Sequence, residues 1–467
     1  MLAAVGFVGL TVVDARNGTL RDEFVGQSVF WYLVAFAGFG VAAWSNERQP
    51  LPTWLLWAVP IGFRLLLLTT TPTLSDDVYR YLWDGHLVSQ GVSPFAHAIS
   101  DPAVDQFSIE ARDLANNRDL ASPYLPTAQG VFGLAAVLFP SVPLTMQMIM
   151  VAFDLAIAGL IVRLLKLSNL PTHRVLLYLW NPLVIVELAH GAHLDALMVA
   201  FAMAALVCTF DPKFIGRWGG AWSPSLLALA TLTRVLPLLL VAVLFWRWNW
   251  RQRFIYGAVA VGLTVPWGIR PGFGLTGEQD GTGVFGAARE YSDSFRFNSG
   301  IYHWYETWVG GRGLDDKGWD EPVQLAKILV GLVVAGALLM VFVQARSMVG
   351  PRAHLRLAVV ALGIYVVLTP VLHPWYTVML FALLPFLAPS DDEPKAQWAL
   401  LAPWMYLAAA LVLSYFTYED PLAFAEREWV RKTEWLPTLG LLGVVGVMGL
   451  FGLFGTTRRV MPGPRGR

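Results

Sequence analysis

The sequence predicts an all-α protein that crosses a membrane many times. Three observations carry this. Of 467 residues, 56% are hydrophobic and 14% are charged, and the mean hydropathy is +0.54; a soluble domain does not carry that balance. Apolar runs recur at the roughly 20 residues a helix needs to span a bilayer. Short basic loops separate many of these runs, as the positive-inside rule expects of a polytopic chain.

In chain order, apolar runs fall at 1–13, 29–45, 51–71, 143–162, 174–189, 194–210, 254–269, 323–345, 357–372, 376–389, 398–416 and 436–456. The first lacks a basic start and reads as a short span rather than a cleavable signal. Two further pieces are shorter or broken: Ala128–Pro140, and Leu226–Trp246, which Arg234 and Pro237 interrupt. Basic loops at Arg163/Lys166/Arg174, Lys213/Arg217, Arg247/Arg251/Arg253, Arg346/Arg352/Arg356 and the tail from Arg458 belong together on the cytoplasmic side. That arrangement works if neither short piece crosses. Ala128–Pro140 becomes a half-helix on the outer side, and Leu226–Trp246 a broken pair entering and leaving from the cytoplasm, since broken backbone is tolerated where it lines a cavity. The expectation is about twelve crossings with both termini inside. Loops 71–126, 271–321 and 418–435, with the turns His190–His193 and His373–Tyr376, then share the outer face. Every unusual polar cluster falls on that one side. No repeat or linker divides the chain, so 1–467 reads as one transmembrane domain.

Composition also excludes functions. Formal net charge is zero and no basic patch is present, so phosphate tracking along a nucleic acid is not expected. Cys208 is the single cysteine, which rules out an internal disulfide or a multi-cysteine metal site. No Gly-x-Gly-x-x-Gly after a strand and no P-loop is present.

The chemistry concentrates in four segments. Leu74-Ser75-Asp76-Asp77-Val78-Tyr79-Arg80-Tyr81-Leu82-Trp83-Asp84-Gly85 opens the first outer loop. Asp76 or Asp77 suits a general base, because a neighbouring carboxylate and desolvation raise the pKa of such a group. The alternative is a helix start, with Ser75 as cap and acids in the first turn. Arg80 could hold a phosphate, or pair with Asp84 four residues on. Glu187-Leu188-Ala189-His190-Gly191-Ala192-His193-Leu194-Asp195 reads first as a phosphate or substrate contact, then as a solvated helix-turn-helix tip, and last as a metal site, because it lacks the two-His helical spacing of hydrolytic zinc motifs. Phe295 to Tyr305 mixes aromatics with Asn298 and His303, suiting a sugar whose CH faces stack while its hydroxyls hydrogen-bond; an interfacial aromatic belt is the competing reading. His373-Pro374-Trp375-Tyr376 breaks a helix and exposes a ring. Arg234 reads as structural or as a lipid-headgroup contact on the cytoplasmic half.

These residues carry a resemblance. The Ser75–Gly85 segment, followed by Gly91-Val92-Ser93-Pro94-Phe95, resembles the first outer loop of bacterial polyprenyl-phosphate-sugar-dependent glycosyltransferases of the GT-C superfamily, closest to the mannosyltransferase-like branch. Trp180-Asn181-Pro182 and Gly191-Ala192-His193-Leu194-Asp195-Ala196-Leu197 look like that branch's next signature, with Leu194 in place of its usual Asn. Phe297-Asn298-Ser299-Gly300 and His373-Pro374-Trp375-Tyr376 look familial too, and the order is kept from about residue 70 to 380.

The resemblance implies a GT-C-like bundle of about twelve transmembrane helices with short re-entrant or juxtamembrane helices and two long outer loops. It implies an inverting glycosyltransferase, best matched to mannose, that takes the sugar from a polyprenyl-phosphate donor to a lipid or glycan acceptor. The site would face the periplasmic or extracellular side of a bacterial inner (cell) membrane, in a monomer bathed by membrane lipids. The family's catalytic Asp corresponds to Asp76, with Asp77 as second choice. Arg80, His193, His303 and His373 are expected at the donor phosphate. Tyr79, Trp83, Asn298, Tyr302, Trp304, Trp375 and Tyr376 are expected to shape the sugar and acceptor pockets. No cofactor is required; a divalent metal stays open, although the adjacent acids lack the spaced Asp-x-Asp of some relatives. The alternative class is a transporter or flippase of a lipid-linked sugar, which calls for midplane polar residues and pseudo-repeats.

Overall fold

The structure, a computed structural model, describes residues 1–211, 213–214, 216, 219–268, 282–287, 289–290, 295–310, 321–417, 428–451 and 453. Much of the expected second outer loop, and residues 418–427 of the third, lie outside the described residues.

Helices dominate, and the described residues contain no strand beyond one isolated bridge between Phe297 and Val371. In order they are α1 (Leu2–Asn17), α2 (Val25–Arg48), α3 (Thr53–Leu67), α4 (Asp77–Ser89), α5 (Glu110–Leu114), α6 (Pro126–Leu138), α7 (Pro143–Leu167), α8 (Leu176–Leu179), α9 (Pro182–Ile185), α10 (Asp195–Phe210), α11 (Gly219–Thr231), α12 (Leu238–Leu244), α13 (Trp250–Gly268), α14 (Ile301–Gly310), α15 (Glu321–Ala345), α16 (Gly350–Leu368), α17 (Val378–Leu383), α18 (Ala402–Ala410) and α19 (Glu428–Leu450). Each expected apolar span overlaps helix among the described residues. Among the described residues, six helical stretches are long and apolar enough to cross a membrane: Val25–Arg48, Pro143–Leu167, Lys327–Ala345, Gly350–Leu368, Lys395–Thr417 and Glu428–Leu450. The pair Pro182–His190 and Asp195–Phe210 meets at a 119° bend, and Thr53–Leu67, Pro126–Leu138 and Pro374–Phe386 are shorter apolar helices.

The outward faces explain why these helices need a lipid solvent. Ile328, Leu332, Val333, Leu339 and Met340 on α15, and Val444 and Val447 on α19, are exposed. Contiguous apolar surface of this kind is not tolerated against water. Inside, one continuous core links α1 to α19. Between α3 and α7 it holds a charged pair: Arg64 Nε donates to Asp154 Oδ2 at 2.5 Å, and Tyr178 donates to the other Asp154 oxygen at 2.8 Å.

The first outer loop folds as a unit over α4. Trp83 packs with Leu87, Ile99, Val104 and Ala115 into a small second core. Arg112 ties the loop by donating to the Ile99 carbonyl at 3.0 and 2.9 Å. Helix α4 lies close against α6 because Gly85 has no side chain: a Cβ there would come within 2.5 Å of the Phe132 carbonyl oxygen. This contact presents the N-terminus of α4, with Asp76 and Asp77, to the breaks in the other helices.

Candidate active site

Ser75 Oγ accepts from the Asp77 backbone N–H at 3.3 Å. The serine thus serves the helix start, and neither aspartate side chain caps it. The two acids diverge. Asp76 is 38% exposed and turns to Arg21, with Oδ1 3.5 Å from Nη2. Asp77 is 13% exposed and turns inward, with Oδ2 3.7 Å from His193 Nδ1 and Oδ1 accepting from Asn116 Nδ2 at 3.0 Å. Burial raises the Asp77 pKa above the usual carboxylate value, with the Asp76 charge pushing the same way, while the Asn116 hydrogen bond and the Arg234 charge oppose it. Of the two acids, Asp77 is therefore the one enclosed among the other polar groups.

The segment 187–195 is buried throughout, which overturns the solvated-tip reading. Its local structure is built by hydrogen bonding. Asn181 caps the helix that starts at Pro182, accepting from Leu183 N at 3.0 Å. The helix then widens to a π turn at Val186–His190, a device common at functional sites. Gln147, from α7, donates to the carbonyls of Ala189 and His190 at 3.1 and 3.2 Å and so satisfies the opened backbone. His190 is spent on structure: Thr73 N–H donates to its Nε2 at 3.3 Å, which leaves Nδ1 to donate to Thr70 Oγ1 at 2.7 Å. Ala192 takes a left-handed φ of 55°, a strained conformation for a residue with a Cβ. The chain then turns into α10 at Asp195.

That turn points His193 into a row of near-parallel rings. Centroids run 3.7 Å from His193 to Trp375, 4.4 Å from Trp375 to His373 and 4.3 Å from His373 to Phe297. The Phe297–Val371 bridge holds the two chain segments side by side. Burial, reinforced by the Arg234 charge, pushes the His373 pKa down to about 3, so its ring is neutral at any physiological pH.

Arg234 corrects the sequence expectation. It does not face lipid headgroups on the opposite half. It lies in the break between α11 and α12, 3.8 Å from Asp195 Oδ2 and 4.5 Å above the Tyr376 ring. The break is fixed beside the first loop by Thr127 N–H donating to the Leu232 carbonyl at 3.0 Å. Nε of Arg234, both carboxylate oxygens of Asp195 and the indole N–H of Trp375 are buried without a hydrogen-bond partner. Unsatisfied buried groups are costly and mark a surface built for a polar ligand.

Other expected residues stand elsewhere. Arg80 is 2% exposed and committed: it donates to Asp84 at 3.0 Å and to the Leu120 and Asn117 carbonyls at 3.1 and 3.5 Å. Asp84 also takes Gln129 and the hydroxyl of Ser122. This network holds the loop to α6 and turns one N–H from each of the three guanidinium nitrogens of Arg80 into the protein. Trp83 is the core of the loop rather than a pocket wall, and Tyr79 is half-buried at the edge of that core. Tyr302 is buried, its hydroxyl 3.3 Å from Glu306. His303 and Trp304 converge instead on Glu428, at 3.7 and 3.2 Å. Asn298, at φ 46°, accepts from the Trp435 indole through its carbonyl at 3.1 Å. These residues form a second polar cluster, joined to the ring stack through Phe297. Among the described residues, no group of three or more His, Cys, Asp or Glu is placed to hold a metal ion.

Asn116 and Arg234, which lie beside Asp77 and Asp195, were not among the expected contacts, whereas Glu187 and Asp195 fall in the 187–195 segment read first as a phosphate or substrate contact. A signal existed for Arg234: an ionisable residue within an apolar stretch is a functional-site candidate by default.

A bundle of apolar helices whose backbone breaks around a buried carboxylate, an arginine and a stack of rings is an integral-membrane protein with an enclosed polar site. Residues 16–251, just over half of the chain, match the family model described as the N-terminal domain of alpha-(1->6)-mannopyranosyltransferase. The chain belongs to this MptA/B family and is a mannosyltransferase-type glycosyltransferase of the membrane. No curated protein is significantly similar to it. The matched segment contains Asp76, Asp77, His193, Asp195 and Arg234; Asn298, Tyr302, His303, Trp304 and the His373–Tyr376 turn lie beyond it.

Proposed function

We propose that the protein transfers mannose from a polyprenyl-phosphate donor to a hydroxyl of a lipid or glycan acceptor, on the non-cytoplasmic face of a bacterial cell membrane, with inversion at the anomeric carbon. Asp77 is the base. It takes the proton from the acceptor hydroxyl, whose oxygen attacks the anomeric carbon in line. The bond from that carbon to the phosphate oxygen breaks, and polyprenyl phosphate leaves with the electron pair. Arg234 faces the charge that develops on the leaving phosphate, an electrostatic role that works best in a water-poor site. His373, neutral, and Trp375 offer N–H donors and flat surfaces to the donor. The family's α-(1→6) linkage points to a primary hydroxyl as the nucleophile.

The observation that carries this reading is the meeting of Asp77 and Arg234 at one ring stack, a buried base and a fixed cation contributed by helix breaks far apart in sequence. Membership of a mannosyltransferase family favours transfer over flipping. The test is mannose transfer by the purified full-length protein in nanodiscs, with polyprenyl-phosphate mannose as donor and a mannosylated lipid as acceptor. Wild type forms product and releases polyprenyl phosphate, whereas Asp77→Asn binds donor and forms product about 10²–10⁴ times more slowly. Product formation by Asp77→Asn at the wild-type rate would reject the reading.

A further inference from the structure

Behind Asp77, the imidazole of His193 spans two carboxylates. Its Nδ1 is 3.7 Å from Asp77 Oδ2, and its Nε2 is 3.3 Å from Glu187 Oε2. Neither ring nitrogen has another hydrogen-bond partner. A histidine that merely fills a core has both ring nitrogens satisfied, as His190 is by the Thr73 N–H and the Thr70 hydroxyl. The contacts are longer than settled hydrogen bonds, as is usual for catalytic groups before substrate closes on them.

The ring is fixed in this bridging position. It stacks on Trp375, and a Cβ at Gly191 would come within 2.8 Å of its Cδ2 and 2.9 Å of its Nε2. Glu187 is also held: both of its oxygens lie at hydrogen-bond distance from the Tyr415 hydroxyl, 2.8 and 2.9 Å. A carboxylate this deep is retained against a large desolvation penalty. The cap and the packing around it do not require an acid.

We propose that Asp77, His193 and Glu187 form a proton path, with Glu187 as its inner end and Tyr415 as its anchor. The proposal rests on Asp77 being the base. His193 begins neutral, with its proton on Nε2 and a lone pair on Nδ1. Asp77 takes the acceptor hydroxyl proton and passes it to His193 Nδ1. His193 releases its Nε2 proton to Glu187. Glu187 starts as the carboxylate; one proton enters at Asp77 and one arrives at Glu187, so Asp77 is again a carboxylate, and once product has left the proton returns along the same chain to solvent and restores the starting imidazole tautomer. Glu187 and His193 are positioning residues here, since neither touches substrate. The other titratable groups around Glu187 are Tyr415, Tyr32 from α2 and Asp195 from α10.

The test uses the full-length protein in nanodiscs under single-turnover conditions. Glu187→Gln keeps the size and accepts no proton. Its transfer rate is expected to fall about 10²-fold, within the range for loss of proton-transfer assistance, with donor affinity unchanged. The proton inventory in H2O/D2O mixtures, bowed in wild type because two protons move together, becomes linear. A wild-type rate in folded Glu187→Gln overturns the proposal. So does a slower variant whose inventory stays bowed, since that assigns Glu187 a structural role. If Glu187→Gln no longer binds donor and has therefore misfolded, Tyr415→Phe decides. Loss of the hydroxyl that favours the Glu187 anion moves the acidic limb of the rate profile to higher pH, and an unmoved limb overturns the path. Asp77→Asn separates the two readings: if it is inactive while Glu187→Gln behaves as wild type, only the path fails, and if it is active, the base assignment itself fails.

Discussion

Replacing Arg234 by Gln removes a fixed positive charge from the polar cluster, and two separate losses are expected. The first is in stability. Arg234 Nε and Asp195 Oδ2 are 3.8 Å apart; at the effective dielectric of about 20 that suits such sites, a pair near 4 Å interacts by about 4 kcal/mol. Asp195 is fully buried, and stripping a buried ion of its partner costs about 3–5 kcal/mol. The partial exposure of Arg234, 19% at the side chain, argues for the lower end. The second loss is in rate, because removal of one group that stabilises developing charge costs about 10²–10³ in kcat. The double variant Asp195→Asn/Arg234→Gln separates them. It carries no unpaired ion, so it regains most of the stability, but the leaving phosphate still lacks its cation and transfer stays slow. The assay is thermal unfolding and mannose transfer on the same detergent-purified samples. Wild-type transfer by the double variant would show that Arg234 only neutralises Asp195, and the phosphate role would be refuted.

Asp77→Asn is expected to lower kcat by about 10²–10⁴, the contribution of a positioned base, while Asp76→Asn, which disturbs an exposed pair with Arg21, changes it a few-fold at most; steady-state kinetics of both decide. The base works as the carboxylate, and burial raises its pKa above the ordinary 3.8; activity is therefore lost as pH falls through a value higher than that, which a pH profile of kcat/KM checks. Arg80→Met leaves Asp84 buried without its cation and loosens the first loop, so stability falls by about 3–5 kcal/mol while donor KM holds; unfolding and kinetics measured together test this. Gly85→Ala drives a methyl group into the Phe132 backbone, which cannot yield as a side chain could, and lowers stability by about 1–3 kcal/mol, again read by thermal unfolding.

The apolar spans were legible because bilayer burial is a property of local composition. The first loop stood out as a candidate because adjacent acids beside an arginine and aromatics are conspicuous in an apolar chain. What sequence could not supply was orientation. Asp76 and Asp77 are chemically identical neighbours, and a helix start sends one to Arg21 and the other to His193. The spacing of Arg80 and Asp84 permitted their ion pair, but the Leu120 carbonyl and Gln129 that close the network lie about 40 residues on. Charge counting grouped Arg234 with the cytoplasmic arginines around it in sequence. The rule describes loops, and Arg234 sits within a helix break that reaches the other polar groups. A water-facing tip stood as the second reading of residues 187–195 because they are polar and short; their burial depends on α7 and the Trp375 turn, which local pattern does not reveal.

The site is built from helix starts as much as from side chains. Asp77 is the first residue of α4, Asp195 is the first residue of α10, and Pro374 opens the turn that carries Trp375. Each α-helix start carries about half a positive charge from its unpaired N–H groups. Both aspartates therefore sit at the positive end of a helix, whose attraction adds to that of Arg234. Helix starts also bind phosphate without dedicated side chains, which under the proposed function would let one arginine suffice for a phosphate leaving group. Irregular backbone persists within a membrane protein where it is buried or lines a polar cavity. Here the breaks at 190–195, 232–237 and 369–373 meet the start of α4 at one place. The fold keeps its irregular backbone where an anion can satisfy it, and the positions of the breaks locate the site more reliably than any single polar residue does.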